Sequence, residues 1–285
     1  MRNSITSFLI VLASFSMMAN VSLSEKKILV KLHKATNGSQ WNLKWDLSQP
    51  ITNWKGVKVV EGKVVALDLH DNNLVGQIPE ELGELKYLQV LNLHKNHLSG
   101  NIPASIGNLK ELTVLNLSFN SLTNAIPSSI CNLSNLKSLE LFMNRLTGEL
   151  PTNIGDLKNL ESIVIFNNEI EGVIPDSFYQ MKSLKVALLN SNKLSGKLSP
   201  DVANLTQLVN LSLFENNIQG QVPLSLENLS NLKEMNISYN RFNGLVTKKI
   251  AKLDILNMTM INDNGVAYLM NVAVDMDKRP IVSEE

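Results

Sequence analysis

Leucines separated by a single residue recur along the middle of this 285-residue chain with a fixed period. Leu91 and Leu93 alternate with Asn92 and His94, and Leu115 and Leu117 alternate with Asn116 and Ser118. Period-two alternation predicts short strands with one face inward and one outward. Ahead of each pair stand two further leucines at three-residue steps, such as Leu85 and Leu88, or Leu109 and Leu112. Behind it comes an asparagine. Asn72, Asn96, Asn120, Asn144, Asn168, Asn192, Asn216 and Asn240 follow one another 24 residues apart without a slip. Such a comb means one supersecondary unit copied along the chain and stacked into a solenoid.

Each position of the unit has a mechanical role. The asparagine ends the strand where the chain turns inward. Its amide offers donors and an acceptor to backbone groups that burial would leave unpaired, so stacked copies predict an asparagine ladder. A glycine follows four residues later, as at Gly100 and Gly148, with Asn124 in its place in the third copy. Pro79, Pro103, Pro127, Pro151, Pro175 and Pro223 fix φ in the returning segment, which predicts an extended or 3₁₀ outer wall. Ser199 replaces the proline in the sixth copy, and Ala187 replaces a core leucine there.

Written as LxxLxxLxLxxNxLxGxIPxxIGN, the unit resembles the plant-type leucine-rich repeat of receptor-kinase ectodomains over about residues 64–264. Segments such as LELFMNRLTGELP (139–151) and LSLFENNIQGQVP (211–223) carry the resemblance. It implies an α/β-type repeat solenoid, curved, with a parallel β-sheet on the concave face and a 3₁₀ or extended convex face.

The ends depart from the repeat. Residues 1–24 read as a signal peptide: Arg2, an apolar run from Phe8 to Met18, and small residues at Ser22-Leu23-Ser24 before Glu25. Residues 25–63 read as a helical N-terminal cap, with Ile28, Leu29, Leu32 and His33 at helical spacing and a stop at Asn37-Gly38. Trp41, Trp45 and Trp54 follow, either as cap filling or as a carbohydrate platform. The plant cap carries a cysteine pair near the third tryptophan; here that stretch is NWKGVKV, without cysteine. Eight repeats occupy 64–246. Residues 247–285 read as a partial ninth repeat, in phase through Leu253, Leu256, Ile261 and Asn264, then a C-terminal cap and a charged tail.

Composition narrows the function. Formal charge is zero and basic runs are missing, which argues against nucleic acid as a partner. Cys131 is the only cysteine, so no intramolecular disulfide forms, and its place in SSICNLSNL predicts a small packed residue rather than a reactive thiol. Sequons such as Asn132-Leu-Ser134 fall out of the repeat pattern. No stretch after the leader reaches membrane length, which predicts an exported chain without a transmembrane anchor, in the cell envelope or outside the cell.

The outward strand positions carry whatever the protein binds. Eight strands at sheet spacing give a face about 34 Å across. Phe119, Phe142, Met143, Val164, Phe166 and Leu188 cluster at its middle, with Asn190 and Phe214 further along and charged residues at both ends. An apolar centre with a polar rim predicts a binding patch for a protein or peptide, with a glycan as another ligand class. Asp68, His70 and His94 form a weak metal candidate; the pattern otherwise predicts no metal, no cofactor and no enzyme chemistry. A structural or adhesive display protein and an ice- or polysaccharide-contacting solenoid are the alternatives. Flat rows of threonine or asparagine, which would favour the latter, are lacking.

Overall fold

The computed structural model describes residues 21–272 apart from Ile255, Asn257 and Asp263. The expected leader, save its last four residues, and the charged tail beyond 272 lie outside the described residues.

The alternating leucines form the sheet. Its nine strands run in the order Val57–Val60, Lys63–Asp68, Val90–Asn92, Val114–Asn116, Ser138–Glu140, Ser162–Val164, Val186–Leu188, Asn210–Ser212 and Glu234–Asn236. The first pair is antiparallel; every later pair is parallel, in a register that sets each residue against its equivalent 24 positions on. Leu67, Leu91, Leu115, Leu139, Ile163, Ala187, Leu211 and Met235 therefore stack in one buried column, and Leu69, Leu93, Leu117, Leu141, Ile165, Leu189, Leu213 and Ile237 in a second. Burial of each leucine, isoleucine or methionine stabilises the stack by about 1.5–3 kcal/mol, and that of Ala187 by less.

The asparagines form the predicted ladder. Asn144 Nδ2 donates to Leu117 O and Leu141 O, each at 3.0 Å, and its Oδ1 accepts from Leu122 N at 3.0 Å. Each amide thus ties its own coil to the preceding one. Asn72, at the start, has no preceding ladder carbonyl to meet, and its buried Nδ2 is unpaired. The returning segments wind as 3₁₀ turns such as Glu80–Glu84, Ala104–Asn108 and Ser128–Asn132.

A second row of strands was not legible in the sequence. Val75–Gln77, His97–Gly100, Ser121–Asn124 and Arg145–Leu146 form a four-stranded sheet along one flank, and Glu171–Val173 with Lys193–Ser195, and Gln219–Gln221 with Arg241–Asn243, continue it as pairs. These strands span two to four residues, and four of the eight contain the repeat glycine, so they are too short and too broken for alternation to register.

Both ends are covered. A helix over Leu23–Ala35, capped by Ser22 Oγ accepting from Glu25 N, buries Ile28, Leu29 and Leu32. It stops where Asn37 enters the left-handed region at φ 56°. The three tryptophans are buried and packed ring on ring, 4.8 Å between Trp41 and Trp45 and 4.7 Å between Trp45 and Trp54. Their indole N–H groups donate to Thr36 O, Lys55 O and Asp46 O. They fill the cap and leave no open carbohydrate platform. The strand Val57–Val60 then covers the first edge of the sheet.

At the other edge stand a short helix over Lys248–Ala251 and a hairpin of Thr259–Ile261 with Ala267–Leu269. Asp254, 4% exposed, plugs this edge: its carboxylate accepts from Ile237 N, Ser238 Oγ, Leu256 N and Met258 N at 2.7–3.1 Å. Asn264, read as in phase with the ladder, lies exposed in the hairpin turn instead.

Candidate binding face

The outward strand positions stand on the concave face, and three physical features shape them. The first is the turn that ends each strand. Asp71, Lys95, Phe119, Met143, Asn167, Ser191, Glu215 and Tyr239 all adopt positive φ, between 48° and 58°. Asparagine tolerates that region; a phenylalanine, methionine or tyrosine there costs about 1–2 kcal/mol. Phe119 and Met143 hold it while 42% and 37% exposed.

The second feature is an aromatic row. Phe142 and Phe166 stack at 4.6 Å and 18°. Phe119 meets Phe142 edge to face at 5.4 Å, and His94 meets Phe119 at 5.3 Å. His94 and Phe142 lie two strands apart, about 10 Å by sheet spacing, yet their rings are 6.1 Å from each other. They lean together over Ser118, whose exposure is 0% and whose Oγ bonds Asn116 Oδ1 and His94 Nδ1. Ser118, read as outward from the sequence, is therefore covered, and Ser238 is likewise buried against Asp254.

The third feature is a gap. Val164, Leu188 and Asn190 are half-buried beside the row. Phe214 does not join it; its ring meets Tyr239 at 5.2 Å. Between Phe166 and Phe214 the column holds Asn190; a depression of about 230 Å³ lies beyond it, over the last three strands, lined by Leu188, Asn190, Ser212, Phe214, Glu234 and Asn236 among others and not by Phe166. His94 and Tyr239 belong to the aromatic surface and were missed. Both stand in the same outward columns as the phenylalanines, which was the available signal.

Ion pairs rim the apolar centre. Lys185 Nζ lies 2.6 Å from Glu161 on one side, and Lys193 Nζ lies 2.8 Å from Glu169 on the other. The lysine hydrogen bond holds each carboxyl below its ordinary range, and that to Glu169 raises Lys193. Towards the N-terminal end, Asp68 pairs with His70 at 2.7 Å, whereas His94 turns to Ser118. The structure thus divides the three candidate metal ligands between two separate contacts. Among the described residues no group of three or more metal-ligating side chains converges. Cys131 is buried, and burial together with Asp156 pushes its thiol up to about 12, far from a reactive thiolate.

The comparisons with known proteins agree with this architecture. A family model described as a leucine-rich repeat region matches residues 114–263, and a second, for the single leucine-rich repeat, matches 63–85 and 87–109. No curated protein matches the chain in sequence. Among solved structures, the plant peptide hormone receptor RGFR1 in complex with RGF2 is 33% identical with a TM-score of 0.64, over 73% of this chain and 32% of that one. The Arabidopsis receptor kinase HAESA ectodomain, in complex with an IDA peptide hormone, is 26% identical with a TM-score of 0.57, over 87% and 49%. The chain thus spans a third to a half of the length of these receptor chains. A plant ice-binding protein is 25% identical with a TM-score of 0.72, over 90% of this chain and 89% of that one. Among the described residues no helix is long and apolar enough to cross a membrane. With a family model covering more than half its length over the same coils that carry the asparagine ladder, the chain belongs to the plant-type leucine-rich repeat proteins.

Proposed function

We propose that this protein is an exported, non-enzymatic recognition module that binds an extended peptide or protein segment on its concave face. The observation that carries the reading is the stack of Phe142 and Phe166, which has no ring beyond it at Asn190. Phe119 occupies one end of the stack; at the other, a slot one strand wide separates Phe166 from Phe214. This gap in the aromatic row, above Asn190, is where a single aromatic or branched aliphatic side chain of a partner would extend the stack. Buried apolar anchors of this kind, ringed by polar contacts, supply most of the energy of an interface. The bulky residues at strained positive-φ positions support the reading, because strain persists where function uses it. The peptide complexes of the receptor ectodomains lend it support by analogy. The test is panning a display library of random linear peptides on the mature protein. Enriched sequences that carry an aromatic or branched residue and lose binding on Phe166→Ser support the reading; no enrichment contradicts it.

A second reading has its own support: the ice-binding neighbour matches over nearly its full length, unlike the receptors. Contact with ice needs a flat, regular, free surface. The concave columns here mix aromatic, charged and small residues, and outer-wall serines such as Ser105, Ser129 and Ser225 donate their hydroxyls to backbone carbonyls of the preceding coil. Inhibition of ice recrystallisation by the wild-type protein, unaffected by Phe166→Ser, would favour this reading over the first.

A further inference from the structure

We propose that the partner of the concave face is a basic peptide, with a lysine or arginine about three residues to each side of its aromatic or branched anchor. The proposal rests on the reading of the aromatic row as the binding site and adds the charge of the ligand. The outward columns that begin at Ala66, Asp68, His70 and Asp71 run in register across the sheet. They hold the carboxylates Asp68, Asp71, Glu140, Glu215 and Glu234 against a single lysine, Lys95, which already pairs with Asp71 at 3.1 Å. The row at the strand starts adds Lys137, Lys185 and Lys233 with Glu161, and Lys185 is paired with that glutamate. With this row counted, six carboxylates still face four lysines, in a chain whose formal charge is zero. The face therefore favours a cationic ligand.

Two of these carboxylates are placed to read the ligand. Glu140 accepts from Asn116 Nδ2 at 2.7 Å and Ser138 Oγ at 3.1 Å, and Glu234 accepts from Asn210 Nδ2 at 2.8 Å. These donors are neutral, so they orient each carboxylate without compensating its charge. Among the described residues neither glutamate has a lysine or arginine within ion-pair distance, unlike Asp71, Glu161 and Glu169. A carboxylate has about four lone-pair positions, which leaves room for a further donor on each. Both stand two strands from Asn190, on opposite sides of it, about 10 Å away across the sheet. An extended peptide crossing the strands covers that distance in about three residues. Glu140 precedes Phe142 by two residues, so alternation sets carboxylate and ring on one face. Glu234 lines the depression together with Phe214, and an aromatic ring face attracts a guanidinium or ammonium. Complementary charge of this kind speeds encounter and fixes register more than it adds affinity.

The test is fluorescence-polarisation titration of the mature protein with three pools of labelled peptides. Every pool has a central phenylalanine and random uncharged residues elsewhere, except that the third residue on each side is arginine, glutamine or glutamate. The arginine pool is expected to bind about tenfold more tightly than the glutamine pool, about threefold from each of two exposed ion pairs, and the glutamate pool most weakly. Glu140→Gln and Glu234→Gln retain an acceptor for their asparagine donors. Each should lower the arginine preference about threefold at an unchanged melting temperature, and added salt should shrink it in the wild type. Equal binding of the three pools, still lost in Phe166→Ser, would overturn the basic-peptide proposal and leave the concave site standing. An arginine preference that neither glutamine variant moves would overturn it as well. No binding of any pool, or binding untouched by Phe166→Ser, would overturn both.

Discussion

The rings of Phe142 and Phe166 stack 4.6 Å apart, the spacing of the two neighbouring strands that carry them. They stand side by side without leaning, unlike His94 and Phe142, which close over Ser118. Phe166 consequently keeps one ring face turned along the column towards Asn190, where no ring answers it.

Asn190→Phe should fill that slot. Adding a ring between Phe166 and Phe214 extends the stack, so stability should stay level or rise by up to about 1 kcal/mol. Binding of any selected peptide should fall sharply, because its anchor is replaced by the protein's own. Paired thermal melts and binding titrations check this; retained affinity would place the anchor elsewhere.

Asn144→Ala should cost about 1–3 kcal/mol, since it takes away the acceptor of Leu122 N and one of the two amide donors at each of Leu117 O and Leu141 O, which keep only Asn120 and Asn168. Ser191→Ala removes only an exposed hydrogen bond to Glu215 and should cost under about 0.5 kcal/mol. Equal denaturant midpoints for the two variants would dismiss the ladder as a source of stability.

Asp254→Ala should cost about 3 kcal/mol or more, because it strands Ile237 N and Met258 N in a buried site together with the Ser238 hydroxyl. Hydrogen exchange should report the loss first at the last coils, since each coil contacts only its neighbours. Uniform exchange along the array would argue against a local plug.

Much of this architecture was legible because it repeats. The leucine pairs, the eight asparagines and the six prolines gave repeated readings of one unit, so the main sheet, the ladder and the 3₁₀ wall followed. Asp254 was illegible because it occurs once, outside the period, and its role depends on a strand edge that only the stacked coils create. The flank strands were hidden by their length and their glycines. On the concave face the outward columns could be named, but ring contacts could not. Ser118 stands in an outward column but is covered where His94 and Phe142 meet above it, and Tyr239, outward on the last strand, pairs with Phe214, a contact that the columns alone do not give.

The N-terminal cap should loosen in acid. His33 is packed against Trp41 at 5.1 Å and Trp45 at 6.1 Å, and burial holds its pKa below the ordinary 6.5. The unfolded chain therefore binds the proton more readily than the folded one, so this contribution is present above about pH 6.5 and is lost as pH falls through the folded value. Glu25 acts in the opposite sense, because burial raises its carboxyl and penalises the fold above pH 4.5. His33→Gln should flatten the fall in melting temperature as the pH drops below about 6.5, followed by tryptophan fluorescence. An unchanged acid profile would remove His33 as its source.

The central claim is that the concave aromatic row is the binding site, and one titration tests it most directly. A peptide selected on the wild-type protein is titrated against wild type and Phe166→Ser, with melting temperatures recorded alongside. The account predicts binding weaker by more than about 2 kcal/mol, some thirtyfold, as loss of a central anchor produces, with the fold intact because the lost ring lies outside the leucine core. Unchanged affinity in a fully folded Phe166→Ser variant would contradict it.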